Sequence, residues 1–246
     1  MYGMWCEIGY KLKTSAVALG ALFFPKKCIA CGAAGDDVEG MLCTRCRDDI
    51  PLTYQWGWKD NPAERRLQEK TPVKAVCSLF FYRHDDGYSN LVKQLKYGAK
   101  TSIGLIYGET LGKMMAESGR FGHIQAIAPV PLHFFKQWQR GYNQSEYIAR
   151  GIAKGLGLAR SAIIPDLAVR RRYTRTQTRV GSADRAANVA GAFSLNAKAA
   201  AQLHSEGIEE ILIVDDVLTT GATLASCIAA LSGEFSLSAA TLASVE

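Results

Sequence analysis

Hydrophobic positions follow two rhythms along most of the chain. From residue 73 onward, the aliphatic runs VKAVCSLFFY (73–82), AIAPVPL (126–132), EILIVDD (210–216) and SAATLASV (238–245) are separated by stretches whose apolar residues recur every third or fourth position. The runs read as buried strands. The intervening stretches read as amphipathic helices, predicted from about Ser89 through NLVKQLKYG, and over 103–118, 143–157 and 221–233. Strand and helix in alternation predict an α/β domain, a largely parallel sheet flanked by helices, and such sheets bind ligands at the carboxyl ends of their strands. The segments to search are therefore PVPL (129–132), the Arg-rich stretch RRRYTRTQTR (170–179) and DDVLTTGAT (215–223).

The first 72 residues keep another pattern. The apolar run AVALGALFF (16–24) falls well short of the ~20 residues that span a bilayer, and no small-residue cleavage site follows it. Residues 1–25 are expected to form an amphipathic helix. The chain is expected to be cytoplasmic, with a peripheral place at the inner face of the membrane left open. Four of the seven cysteines then crowd into CIACGAAGDDVEGMLCTRC: Cys28, Cys31, Cys43 and Cys46 form two C-x2-C pairs with eleven residues between them. Two such knuckles complete a closed tetrahedral Zn2+ site, structural because four thiolates leave no position for water. Disulfides and an iron–sulfur cluster are the competing readings, and disulfides fit poorly with a chain lacking a signal peptide. The zinc module is placed at 26–50, a polar linker at 51–72 with Trp56 and Trp58 as anchors, and the main domain at 73–246. Cys77 and Cys227 lie in apolar runs and read as small buried hydrophobes.

With 246 residues, 48% hydrophobic, the chain is large enough for one substantial core and a smaller module. Its net charge of +6 is compatible with anionic ligands and too modest to require nucleic acid. A dinucleotide fingerprint and a P-loop are both missing. EEILIVDDVLTTGATLASC (209–227) offers another anion site. After a buried strand over 211–214, the loop TTGAT leads into a helix N-terminus, whose backbone N–H groups and threonine hydroxyls suit a phosphate. Asp215 and Asp216 beside it suit the vicinal hydroxyls of a ribose. Helix capping alone would use one such residue, and here five cluster.

ILIVDDVLTTGAT resembles the phosphoribosyl-pyrophosphate signature of type I phosphoribosyltransferases. That resemblance implies that Asp215 and Asp216 are the catalytic pair holding the ribose hydroxyls, with Thr219, Thr220, Gly221, Ala222 and Thr223 wrapping the 5-phosphate. The cysteine knuckles, LKYG (95–98), PVPLH followed by RGYNQSEYIAR, and RYTRTQTRVGSADRAANVAGAF together resemble the ComF family, associated with DNA uptake and use in bacteria. By that similarity the turn from Pro129 through Val130, Pro131 and Leu132 is a pyrophosphate loop, and Arg140 to Gln144 start the helix beneath it. Arg175, Gln177, Arg185 and Asn188 belong to a loop closing over the site. Lys96 is open to two readings, ligand cation or partner of a helix C-terminus. The function implied is phosphoribosyl transfer from phosphoribosyl pyrophosphate with Mg2+, tied to DNA utilisation or nucleotide metabolism. The alternative is a non-catalytic nucleotide sensor or a single-stranded-DNA-associated competence protein that contacts DNA or the competence machinery. In that case Tyr54, Trp56, Trp58, Phe134, Phe135 and Trp138, near Lys59, Lys136 and Arg140, would supply stacking.

Overall fold

A computed structural model describes residues 26–35, 38, 41–83, 86–170 and 191–245. The expected N-terminal helix (1–25) and Arg175, Gln177, Arg185 and Asn188 lie outside the described residues. The chain divides into two compact units, Met1–Ile50 and Pro51–Glu246.

In the first unit, Gly32 takes φ +76° directly after Cys31, a conformation that suits glycine, and its N–H closes the turn on the Cys28 carbonyl at 2.9 Å. The second knuckle leads into the short helix α1 (Thr44–Asp48), which starts immediately after Cys43 and carries Cys46.

The second unit is built on a four-stranded parallel sheet. Its strands are β1 (Val76–Phe81), β2 (Ala126–Pro129), β5 (Glu210–Leu218) and β6 (Ser236–Ser244), in the spatial order β1-β6-β5-β2. Both faces are covered, which is why these strands read as unbroken apolar runs. One core lies against α2 (Pro62–Gln68), α7 (Ala197–Ser205), α8 (Ala222–Ala229) and the hairpin β3 (Ala168–Arg170) with β4 (Phe193–Leu195), through Leu67, Leu203, Leu224, Ile228, Ile211 and Ile213. Against the sheet also pack α4 (Ser102–Glu117) and α6 (Gln144–Leu156); α3 (Ser89–Tyr97) and α5 (Phe134–Arg140) complete the set.

Helices α4 and α6 meet along a seam of glycines. A Cβ on Gly108 would stand 2.6 Å from the Ile148 carbonyl, and one on Gly151 would fall on the Leu105 carbonyl, so the two backbones touch where any side chain would part them.

Several elements depart from the sequence expectation. Strand β5 runs through both aspartates to Leu218 because β6 keeps pairing with it, Asp215 opposite Thr241 and Leu218 opposite Ser244. The segment 51–72, expected to be a connector, is packed into the larger unit. Leu52 bridges Phe80 along the free edge of β1, and α2 is tied down through Asn61, which caps it and donates to the Val76 carbonyl at 2.9 Å. Trp56 is buried and Trp58 is half exposed. Helices α5 and α7 and the β3–β4 hairpin were not expected at all.

Candidate functional site

The four cysteine sulfurs lie within 4.8 Å of one another, and Cys31 Sγ and Cys43 Sγ are 3.8 Å apart. Zinc–sulfur bonds of ~2.3 Å in a tetrahedron put sulfurs about 3.8 Å apart, so the donor set fits a structural zinc. Among the described residues it is the only such metal-ligating group.

In the larger unit, the carboxyl ends of β5 and β2 carry the second constellation. The Val130 N–H donates to the Val214 carbonyl at 2.8 Å, and the Val130 carbonyl accepts from Asn143 Nδ2 at 3.1 Å. The Val130–Leu132 turn, with Pro131 at its centre, is thus tied to β5 on one side and to the start of α6 on the other. Asn143 also caps α6, accepting from the Ser145 N–H. That cap brings the positive end of the helix to the two aspartates.

The first two residues of α6 face those aspartates directly. Gln144 Nε2 donates to Asp216 Oδ2 at 2.8 Å, and Ser145 Oγ donates to Asp215 Oδ1 at 3.0 Å. Lys96, at the end of α3, places its ammonium 3.2 Å from Asp216 Oδ1. Arg140 donates to Gln144 Oε1 at 3.0 Å while its guanidinium lies over the Tyr97 ring, 5.0 Å from the centroid. A continuous chain therefore runs Arg140, Gln144, Asp216, Lys96.

Charge around the pair is lopsided. Burial and the neighbouring Asp216 charge push the Asp215 carboxyl up to about 7. Burial opposes the Lys96 ammonium, but Asp216 and Asp215 outweigh it and hold its pKa above the ordinary lysine value. Lys136 is pulled down by burial and by Arg170, Arg140 and Lys96 around it. Arg170 is likewise lowered by burial, with Asp215 acting the other way. Two carboxylates thus share their surroundings with Lys96, Lys136, Arg140 and Arg170, leaving net positive charge. An anion is the natural counterpart.

Beyond the aspartates, Thr219 and Thr220 are exposed. Gly221 sits at φ +76° as N-cap of α8 and has no side chain to cap it; the Ala222 N–H makes only a long bond, 3.5 Å, to Thr220 Oγ1. Thr223 is half-buried in its first turn. The positive φ favours glycine here, and a Cβ would also crowd Leu67 Cδ1 at 3.2 Å.

The structure therefore brings Asp215, Asp216, Val130–Leu132 and Arg140 to one end of the sheet, with Thr219–Thr223 in the loop and first turn of α8 that follow β5. Sequence reasoning missed the aim of Ser145 and the approach of Arg170. The available signal was Asn143, a capping residue followed by two polar residues at the start of an otherwise amphipathic helix.

No family model matches the chain. It is 36% identical over 210 residues to competence protein F of Haemophilus influenzae, covering 82% of this chain and 89% of that one. Two proteins named DNA utilization protein YhgH are also similar. That of Salmonella typhimurium is 32% identical over 187 residues, 75% of this chain and 74% of that one. That of Escherichia coli K12 is 28% identical over 201 residues, 80% of each. Among the described residues no helix is long and apolar enough to cross a membrane.

Proposed function

This chain belongs to the ComF family, that of competence protein F, and from that premise we propose that it binds phosphoribosyl pyrophosphate with Mg2+ in the service of DNA uptake, DNA utilisation or nucleotide metabolism. The observation that carries the reading is the arrangement on one strand, loop and helix. A carboxylate pair on β5 is followed within a few residues by exposed threonine hydroxyls and the N-terminus of α8, whose N-cap residue, Gly221, has no side chain. Carboxylates accept from vicinal hydroxyls and a helix N-terminus takes a phosphate, so the two ends match a ribose 5-phosphate. Lys96, Lys136 and Arg140, with the Val130–Leu132 turn, face the diphosphate end. The diphosphate and the aspartates would hold Mg2+, which would supply charge neutralisation of the leaving group.

The reaction class is phosphoribosyl transfer, in which the bond from the anomeric carbon to the diphosphate breaks as an acceptor attacks. Positive side chains already in place stabilise charge growing on the diphosphate without reorganising. Gln144 and Ser145 orient the aspartates through hydrogen bonds. The test is titration of two variants with phosphoribosyl pyrophosphate and Mg2+. Asp216→Asn removes a charge-assisted partner worth ~1.5 to 3 kcal/mol, a loss of roughly tenfold to a hundredfold. Gly221→Val blocks backbone approach at the loop and should cost at least as much. Wild-type affinity in both variants would remove the reading.

A second, non-catalytic reading is single-stranded DNA association, favoured by α5. This helix turns Lys136 and Arg140 inward and exposes Phe134, Phe135 and Trp138 at 72%, 61% and 79%, with no acidic residue between 133 and 142. Exposed aromatics beside cations suit base stacking with phosphate contact. Oligothymidylate binding that weakens steeply with salt and is reduced in Trp138→Ala supports it; no dependence on salt would remove it.

A further inference from the structure

We infer that Arg66, on α2, positions the Thr219–Thr223 loop for the phosphate of its ligand, which makes the 51–72 segment part of the site. The inference rests on the phosphate reading of that loop. The Nη1 group of Arg66 donates to the Thr219 carbonyl at 3.1 Å and to the Val245 carbonyl at 2.8 Å, clasping the loop after β5 to the chain just beyond β6. The next residue, Leu67, is fully buried and meets the loop from below, its Cδ1 3.2 Å from where a Cβ on Gly221 would stand. One turn of α2 thus fixes the loop at both Thr219 and Gly221.

The consequence follows from peptide geometry. In a planar trans peptide the carbonyl and the following N–H point in opposite directions. Holding the Thr219 carbonyl toward Arg66 therefore turns the Thr220 N–H away from α2. Among the described residues neither the Thr220 nor the Gly221 N–H makes a hydrogen bond to protein, so both remain available as donors. Arg66 also has donors to spare. Its two recorded bonds both leave from Nη1, and a guanidinium carries five N–H groups, so Nε and Nη2 keep theirs and the full charge stays beside the loop. Without Arg66 the Thr219 peptide is free to rotate, and the loop must order itself on each binding event.

Arg66 is a positioning residue, so the experiment separates the loop from the rest of the site. The full-length chain and Arg66→Ala are titrated by calorimetry with ribose 5-phosphate, which needs the loop, and with inorganic diphosphate plus Mg2+, which does not. The expected result is a loss of ~tenfold or more for ribose 5-phosphate, with diphosphate affinity within about twofold. Should Arg66→Ala fail to fold, Arg66→Lys carries the same comparison, since a compact ammonium cannot reproduce the planar fork. Unchanged ribose 5-phosphate affinity, or an equal loss for both ligands, overturns the inference. A wild-type chain that binds diphosphate but not ribose 5-phosphate instead overturns the phosphate reading of the loop.

Discussion

The four-cysteine cluster and the aspartate–threonine site both concentrate reactive side chains, and they differ in whether the protein completes the set by itself. The cysteines come from two knuckles within residues 28–46, and their sulfurs are already within 4.8 Å of one another. A zinc ion held by four thiolates has no position left for a substrate, so such a site shapes the chain around it. The other site draws on α3, α5, α6, β2, β5 and α8. Its carboxylates are partnered by Gln144, Ser145 and Lys96, but the surrounding cations outnumber them and the α8 N-cap is a glycine with no side chain. Four thiolates around zinc form a closed set, whereas unspent positive charge and free donors are what an anionic ligand would use.

The largest effect is expected from breaking the closed site. Structural zinc contributes ~10 to 16 kcal/mol to small modules of this kind. Elemental analysis should find one zinc per chain, and Cys43→Ser should lose it together with the order of residues 26–50. A metal-free wild-type protein, or a variant with an unchanged melting profile, would count against the comparison.

Next comes the scaffold of the open site. Gly151→Val drives a branched side chain into the Leu105 carbonyl at the seam of α4 and α6. Overpacking of this kind costs up to about 3 kcal/mol, which corresponds to ~6 to 12 °C in melting temperature for a domain of this size. The displaced α6 carries Gln144 and Ser145 off the aspartates, so ligand affinity should fall with stability. A variant that melts as the wild type does would show that the seam is looser than described.

The open site also carries a pH dependence. The Asp215 carboxyl is raised to about 7, so the native state holds its proton more tightly than the unfolded chain does. The stability this group contributes is fully present below about pH 4, the ordinary carboxylate range, and is lost as pH rises through about 7. Ligand hydroxyls need the ionised form, so affinity should move oppositely, rising between pH 6 and 8. Asp215→Asn should flatten both trends. Parallel denaturant-midpoint profiles for wild type and variant across pH 5 to 8 would contradict this.

The parts of the molecule legible from sequence were those encoded over short spans. The cysteine knuckles and DDVLTTGAT are contiguous, and the buried parallel strands announce themselves as aliphatic runs. Long-range matters were not legible. The run of β5 on to Leu218 depends on where β6 continues to pair, and Arg66 reaches the Thr219 carbonyl across 153 positions. The glycines at 104, 108 and 112 and at 151 and 155 share helical spacing, yet only the fold shows that the two rows face each other and thereby aim Gln144 and Ser145. Helix α5 inverts the usual pattern, with Lys136 and Arg140 less exposed than Phe134, Phe135 and Trp138; periodicity alone turns Phe134 and Trp138 the other way.

Calorimetric titration of the full-length chain with phosphoribosyl pyrophosphate, with and without Mg2+, decides whether the open site receives a ribose 5-phosphate bearing a diphosphate. Saturable binding at one site per chain is expected, strengthened by Mg2+ and competed by ribose 5-phosphate. A folded, zinc-loaded chain that gives no saturable binding under either condition would contradict it.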